Sequence, residues 1–359
     1  MESAATSRTA PAPAVPASPR PGRGRRALRG LAWAAALTAL VLAWVHVGRP
    51  FVAGHGVWLR HPEDLLSVEK GLLACATLAL VVWDALRRLR RRPFDRRLVA
   101  AVGGLMAALA VAGYLGSDDL SAGRYHHLWD QFHYYVGAKY QAELGYKRLY
   151  TCTAVAEAEL GPAFAAEVRR RQLRDLATDT VVPAATALTD PAGCTRHFSP
   201  ARWAQFRADV GWFRGQASPT YWSQIQIDHG YNPPPLWTTA GRAVAAVVPA
   251  SSTGLKLIAS LDVLLLGALF FCVWWAGGWR ILCLALVFFG TQFPANGLFT
   301  AGAMLRQDWL LLTVASVCLA QRRWYAWAGA ALAAAALLRL FPGLLFAGPG
   351  VLAVAHLVR

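Results

Sequence analysis

Apolar runs long enough to cross a bilayer alternate with polar segments over most of this chain, and strand patterns are scarce. Three runs precede a long polar segment and lie at 31–48, about 70–86 and 98–116. Others follow it, at about 235–250, 256–276, 281–299, 304–320, 325–338 and 342–358. The pattern predicts an all-α fold, a polytopic transmembrane helical bundle. Because the last runs stay apolar to the end of the chain, we expect a truncated copy of a longer protein.

The polar segment 117–231 is far longer than an ordinary connection, and connections of this length are usually functional. Within it, Ser199 and Pro200 signal the start of a helix over 199–215. Its apolar residues share one face, so we expect an interfacial helix that lies on the membrane surface. A second helix is predicted over 154–177.

The distribution of charge assigns a side of the membrane to each segment. Only 16% of the residues are charged, against about 25% in soluble proteins. The net charge of +16 comes from clusters: residues 1–30 hold six Arg and one Glu, and residues 84–97 hold seven Arg and two Asp. Segment 117–231 holds twelve basic and twelve acidic residues. This is the positive-inside pattern, which argues against a nucleic-acid partner. It predicts a disordered cytoplasmic tail over 1–30, an inner loop over 87–97 and an extracytoplasmic 117–231.

The apolar runs after Tyr231 raise a problem of parity. Arg322 and Arg323 are inside by the same charge rule, so an odd number of crossings must separate them from the outer segment, yet four runs are present. We predict that 235–250 does not span, because it is short, starts on three prolines and carries Arg242. If 281–299 is instead the run that does not cross the membrane, the following "RQDW" (306–309) still faces outward.

Two further features bear on the compartment. No small-residue cleavage site follows 31–48, which favours a retained signal anchor over a removed signal peptide. The 32 Arg against four Lys and the high Ala content fit a GC-rich genome, so we expect the cytoplasmic membrane of a bacterium. Cys152 and Cys194 stand alone in the exported segment, which predicts a disulfide in an oxidising compartment; two free thiols are the alternative.

Candidate chemistry is concentrated just after the third run, in "WDQFHYYVGAKYQAELGYKRLY" (129–150). On a helix, His126, Asp130 and His133 would share one face. Three interpretations stay open from the residues alone. The face is a wetted surface with tyrosines as interfacial anchors, or a divalent metal site, or it presents Asp130 as a general base to a lipid-linked substrate.

Other charged residues offer candidates on the same outer side. Asp118 and Asp119 are an alternative base or metal site, or only a solvated pair at a helix end. Arg306 and Arg339 stand at or in apolar runs, where a guanidinium either binds a phosphate or extends to the interface.

The mouth of the next apolar run adds a further polar group. Asp228 and His229 are candidate substrate-binding residues at the outer mouth of that run. Alternatively, the three prolines that follow them only form a rigid entry to the run. Asp308, two residues after Arg306, is placed to pair with it. Signatures of ATPases, nicotinamide enzymes and zincins are missing from the sequence, so no cofactor is predicted, although a divalent metal stays open.

The segment "DQFHYYVGAKYQAELGYKRLY" resembles the start of the first large outer loop of GT-C membrane glycosyltransferases, and it is most similar to the mannosyltransferase-like glycosyltransferase family 87. "RQDWLLLTVASVCLAQRRWYAWAGAALAAAALLRLFP" resembles a late segment of that family, with Gln307, Arg322, Arg323, Ala328, Gly329, Arg339 and Pro342 in the matching places. Two spans rather than one precede the run before the loop, and Arg306 replaces a usual Gly.

The resemblance implies an inverting hexosyltransferase that takes a sugar from a polyprenyl phosphate and passes it to a glycan or lipid acceptor at the outer face. Asp130 matches the family's catalytic base. Arg306 or Arg339 would hold the phosphate, while His133, Tyr134 and Gln307 would bind the substrate. The alternatives are a transporter or flippase for lipid-linked glycans, with a polar path at mid-membrane, and a structural membrane subunit.

Overall fold

The computed structural model describes residues 62–92, 94–115, 127–292 and 302–358, together with positions 36, 39–41, 43–48 and 51. The predicted tail over 1–30, Asp118, Asp119 and His126 lie outside the described residues. The described chain is mostly helical. A π-helical turn at Trp44–Gly48 precedes two long helices, α1 (Pro62–Leu89) and α2 (Arg96–Leu115).

Short elements make up the segment that was expected to be an outer loop. Its helices are α3 (Leu128–Gln131), α4 (Gly137–Lys139), α5 (Gln141–Leu144), α6 (Leu149–Ala158), α7 (Pro162–Arg170), α8 (Ala192–Thr195), α9 (Pro200–Gln216) and α10 (Pro219–Ile225). A π-helical turn, Phe132–Val136, joins α3 to α4, and a 3-10 turn lies at Ala184–Leu188. Two antiparallel strands are also present, β1 (Gln172–Asp175) and β2 (Thr180–Pro183).

The C-terminal part returns to long or apolar helices. They are α11 (Pro235–Val247), α12 (Ser252–Gly290), α13 (Asp308–Gln321), α14 (Tyr325–Leu338) and α15 (Ala347–Leu357), with a 3-10 turn at Phe341–Phe346. Three helices are long and apolar enough to cross a membrane: Leu65–Leu89, Arg96–Leu115 and Ser252–Gly290. Membrane association is therefore supported by these three candidate spans.

Helix α12 reverses its direction at Gly278. This glycine has a φ of 74°, in the left-handed region that favours glycine. The rings of Phe270 and Phe289 lie 5.6 Å apart, although a straight helix would separate them by about 28 Å. The element therefore consists of two antiparallel limbs, in line with the separate runs predicted at 256–276 and 281–299.

The second limb of α12 packs along α2, and arginines gather where the limb begins. Asp84 of α1 accepts hydrogen bonds from Arg88 at 2.8 Å and from Arg280 at 2.6 Å. Arg322 donates to the carbonyl of Trp275, just before the same reversal. One end of the helical part is thus rich in arginine, and we call it the basic end.

Helix α11 has 13 residues, which gives a length of about 20 Å against a hydrocarbon core of about 30 Å. The prediction that 235–250 does not span fits this length. Pro235 opens the helix at its first turn, where a missing N–H is tolerated.

The prediction of one helix over 154–177 is wrong in its bounds, because the structure has two shorter helices there, α6 and α7. The helical conformation breaks at Gly161, whose φ is 151°, and resumes at Pro162, which disfavours the helical conformation in the residue before it. After α7 the chain forms β1, and the fold is therefore not purely all-α. The β-branched Val181 and Val182 of β2 suit the strand conformation that pairs with β1.

The helix predicted over 199–215 is confirmed by α9, with Ser199 accepting from the N–H of Arg202 as its cap. The interfacial role expected for it is wrong. Phe206, Val210 and Phe213 are fully buried in a protein core rather than turned to lipid. The segment is a packed unit whose helices bury their apolar faces against one another.

The tyrosines were also expected as membrane anchors in one interpretation, and two of them are core residues. Tyr135 and Tyr140 are fully buried, and each hydroxyl is bonded inside the protein. The Tyr135 hydroxyl donates to the carbonyl of Val248 at 2.8 Å, and that of Tyr140 donates to Asp209 at 2.7 Å. Buried hydroxyls need such partners, and the tyrosines therefore stabilise the unit from within.

Candidate active site

Asp130 and Arg306 form an ion pair at the junction of the packed unit and the helical part. Asp130 lies in α3, and Arg306 is the second-last residue of the short segment 302–307 that leads into α13. The Asp130 side chain is 15% exposed and that of Arg306 is 38% exposed. A carboxylate and a guanidinium that are 176 positions apart in sequence are thus both partly exposed at one place on the protein surface, which we call the Asp130 opening.

Asp262 of α12 fixes the backbone on which Arg306 stands. Its buried Oδ1 accepts the backbone N–H of Arg306 at 2.7 Å and that of Gln307 at 3.2 Å. Asp262 was not among the residues singled out from the sequence. The signal was present, because a carboxylate within the apolar run 256–276 is costly unless it is bonded or functional.

Segment 302–307 is also bonded to α3. The carbonyl of Gly302 accepts from the backbone N–H of His127 at 2.7 Å and from the Gln131 side chain at 3.2 Å. The Gln131 amide also donates to the carbonyl of Leu255, at 2.9 Å. Since Gln131 is fully buried, these bonds hold α3, α12 and the segment in one arrangement.

His127 lies beside the ion pair, with Nδ1 3.2 Å from the Asp130 carboxylate. Burial, assisted by the charge of Arg306, lowers the pKa of His127 to about 4. The imidazole is therefore neutral at pH 7, and this contact is not a second ion pair. His127 Nδ1 also accepts the backbone N–H of Asp130 at 3.3 Å and caps α3.

A second carboxylate, Asp228, borders the same helix turn. It accepts a hydrogen bond from the indole of Trp129 at 2.6 Å. Burial opposes its ionisation, but the bonds from Trp129 and the His229 backbone outweigh that effect and lower the pKa of Asp228. His229 itself is exposed and lies 3.4 Å from Asp179, so it points away from this group.

The side chain of His133 is buried in the core of the packed unit and does not line the Asp130 opening. It is 2% exposed, and its Nε2 lies 2.5 Å from the hydroxyl of Tyr150. That hydroxyl also accepts from the backbone N–H of Gly230 at 3.0 Å. Burial lowers the pKa of His133 to about 4, which keeps the ring neutral. Tyr134 is half-buried, and its ring packs against Trp237.

The remaining candidates lie around Arg306. Gln307 is buried. The carboxylate of Asp308 accepts from the N–H of Trp309 at 2.6 Å. The ion pair expected between Asp308 and Arg306 is not formed among the described residues, because Arg306 turns to Asp130 instead. Arg339 ends α14, and its charge acts on both Arg306 and Asp308.

Two predictions remain, a divalent metal site and an alternative pair of carboxylates. No set of three His, Cys, Asp or Glu side chains in the described ranges is arranged to hold a metal ion. His126, one member of the suggested metal set, and the alternative carboxylates Asp118 and Asp119 lie outside those ranges. Asp130 and His133 bind different partners, so these two do not form a common ligand pair.

Cys152 and Cys194 are joined in a disulfide, with their Cα atoms 5.4 Å apart. The bond connects α6 to α8 inside the packed unit, and both residues are buried. It stabilises the scaffold of the candidate site without touching the Asp130 opening.

Comparisons with protein-family models, with curated proteins and with solved structures find no match for this chain.

Proposed function

We propose that this protein is a membrane glycosyltransferase of the GT-C type, similar to glycosyltransferase family 87. It transfers a sugar, mannose-like, from a polyprenyl phosphate to a glycan or lipid acceptor at the outer face. The observation that supports the proposal is the contact between Asp130 and Arg306. A proton acceptor and a phosphate-binding group meet at one opening, which is what this transfer requires.

In the proposed reaction, Asp130 accepts the proton of an acceptor hydroxyl. The hydroxyl oxygen attacks the anomeric carbon, the bond from that carbon to the phosphate oxygen breaks, and the configuration inverts. Polyprenyl phosphate leaves with the bonding electron pair, and Arg306 stabilises its negative charge with help from the nearby Arg339. No metal ion, nucleotide or other cofactor enters these steps.

The ion pair gives the proposed site a simple order of events. Without a donor, the guanidinium of Arg306 neutralises Asp130. The donor phosphate is a singly charged phosphodiester, and its two free oxygens can accept a bidentate pair of hydrogen bonds from arginine. By competing with Asp130 for Arg306, the donor would leave the carboxylate free to act as the base.

The rival function, transport of lipid-linked glycans, calls for polar groups along a path through the helical part. The polar contacts of Asp130 and Arg306 instead lie where α3 meets segment 302–307. Asp262 lies in the first limb of α12, yet it is bonded to the backbone of that same segment. These contacts favour an enzyme over the transporter and over a purely structural subunit.

We further propose the cytoplasmic membrane of a bacterium, with the basic end and the N-terminus inside. The arginines around Asp84 support this orientation. An impermeant thiol reagent applied to intact cells tests it, in a background without Cys75. A cysteine introduced at exposed Asp190 should be labelled, whereas one at exposed Arg90 should be labelled only after lysis.

The activity is tested by incubating purified protein with polyprenyl-phosphate sugars and following release of polyprenyl phosphate. Asp130→Asn should abolish turnover while the protein keeps its fold and still binds the donor. Asp179→Asn is the matched control, because Asp179 is exposed and has a φ of 55°, which Asn tolerates. Turnover by the Asp130 variant at the wild-type rate, or no consumption of any donor, would refute the proposal.

A further inference from the structure

Two adjoining cavities open between α1, α2 and the second limb of α12, at the basic end. The larger has a volume of about 660 Å³ and the smaller of about 320 Å³. They share Phe94, Val99 and Arg280 in their walls, so they form one continuous groove. This groove is separate from the Asp130 opening, which lies at the far end of α12.

The two parts of the groove differ in chemistry. The larger cavity is walled mainly by apolar side chains such as Leu80, Val102 and Met106. The smaller one is lined by three guanidinium groups, those of Arg88, Arg96 and Arg280. An apolar channel that ends in a cluster of arginines matches a molecule with a hydrocarbon chain and an anionic head.

Two of the three arginines, Arg88 and Arg280, are oriented by the carboxylate of Asp84. Asp84 Oδ2 accepts from Arg88 at 2.8 Å and from Arg280 at 2.6 Å. Two arginines share this one carboxylate and Arg96 adds a third guanidinium to the lining, which leaves a net positive charge at the mouth. Both guanidinium groups stay about half exposed, with side-chain exposures of 51% and 48%, so they retain N–H donors for a ligand.

We infer that this groove is a binding site for an anionic phospholipid of the membrane. One acyl chain occupies the larger cavity, and the phosphate is bound by Arg88, Arg96 and Arg280. Basic pockets between membrane helices recognise such head groups, and the planar guanidinium suits a phosphate. The larger volume lies within the usual range of small-molecule sites. The bound lipid would hold α1, α2 and α12 together, and this role does not depend on the proposed transferase activity.

The test uses the full chain, purified in an uncharged detergent and delipidated. Native mass spectrometry would compare dioleoyl-phosphatidylglycerol with dioleoyl-phosphatidylcholine, which has the same chains and a zwitterionic head. We expect the anionic lipid to bind at least about tenfold more tightly. Arg96→Gln with Arg280→Gln should remove that preference. Val99→Trp, which places bulk between the two cavities, should weaken both lipids.

Two controls separate charge at the site from damage to the fold. Arg323→Gln changes an exposed arginine that lines neither cavity, and it should keep the wild-type preference. Arg96→Lys with Arg280→Lys keeps the charge and should retain most of the affinity even where the glutamine variant fails to fold. In the wild type, raising the salt from about 0.05 M to about 0.5 M should weaken only the anionic lipid.

Three results would overturn the inference. The first is equal binding of the two lipids. The second is an undiminished preference in a folded glutamine variant. The third is binding of soluble glycerol phosphate as tight as that of the lipid, which would mean that the groove recognises phosphate alone and not an acyl chain.

Discussion

Asp130 and Arg306 pair across 176 residues of sequence, and the pair joins α3 to the entry of α13. The side chain of Asp130 is 15% exposed and that of Arg306 is 38% exposed, so water and salt screen the interaction. Its contribution to stability is therefore expected to be small, and its importance lies in where it puts the two groups.

A double-mutant cycle tests that expectation. Asp130→Asn, Arg306→Gln and the double variant should give a coupling free energy of about 1 kcal/mol in chemical unfolding. The pair Arg174–Asp179, whose aspartate is 67% exposed, is the control and should couple less. A coupling of zero between Asp130 and Arg306, equal to that of the control pair, would contradict the expected contribution to stability.

Substitution of Asp262 should affect the site without touching the substrate. Asp262→Ala leaves the backbone N–H groups of Arg306 and Gln307 without their buried acceptor, at a cost of about 1–3 kcal/mol for each unsatisfied group. Asp262→Asn keeps an amide oxygen and should cost less. Unfolding and limited proteolysis at segment 302–307 would measure both effects. Equal stability of the alanine variant and the wild type would contradict the assignment.

Acid should destabilise the packed unit through His133. Its pKa is lowered to about 4 in the folded protein, against 6.5 for a free histidine side chain, so between these values the unfolded chain binds a proton that the folded protein does not. Stability is complete above pH 6.5 and is lost as the pH falls toward 4, by about 3 kcal/mol for this residue.

Urea unfolding at a series of pH values checks the prediction. His133→Gln keeps a hydrogen-bonding side chain near Tyr150 and removes the titration, so its stability should vary less between pH 7 and pH 4. His229→Gln changes an exposed histidine and should leave the wild-type dependence intact. Identical pH profiles for His133→Gln and the wild type would assign the acid sensitivity to other groups.

Reduction should weaken the packed unit. The Cys152–Cys194 bond spans 42 residues of sequence, and its loss frees that loop in the unfolded chain. The chain-entropy relation gives a cost of about 4 kcal/mol for a loop of this size. The midpoint of thermal unfolding should fall with dithiothreitol in the wild type. A Cys152→Ala/Cys194→Ala variant should start lower and not respond, while Cys75→Ala should behave as the wild type.

Several features of the fold follow from local sequence. Helix α9 begins where Ser199 and Pro200 predict, because a cap and a first-turn proline act over a few residues. The shortness of α11 is readable from its prolines. By contrast, the apolar face of α9 has the same pattern whether it meets lipid or protein, and only the packing against Tyr140 and Phe198 decides between them.

For the candidate site too, the sequence identified individual residues but not the contacts between them. Asp130, Arg306 and Arg339 stood out because charge beside apolar runs is costly, and that cost is visible in sequence. Their partners are not visible. The pairing of Asp130 with Arg306 and the buried contact of His133 with Tyr150 depend on the folding together of segments that are apart in sequence.

The sequence alone determined the apolar runs, the basic clusters and the helix starts, since each depends on neighbouring residues and on transfer of side chains between water and lipid. The tertiary structure decided which charges meet, which tyrosines are buried, and that Asp262 holds the segment carrying Arg306. The reason is physical: a hydrogen bond or an ion pair acts over a few ångströms, and only the folded chain brings residues 130, 262 and 306 within that range.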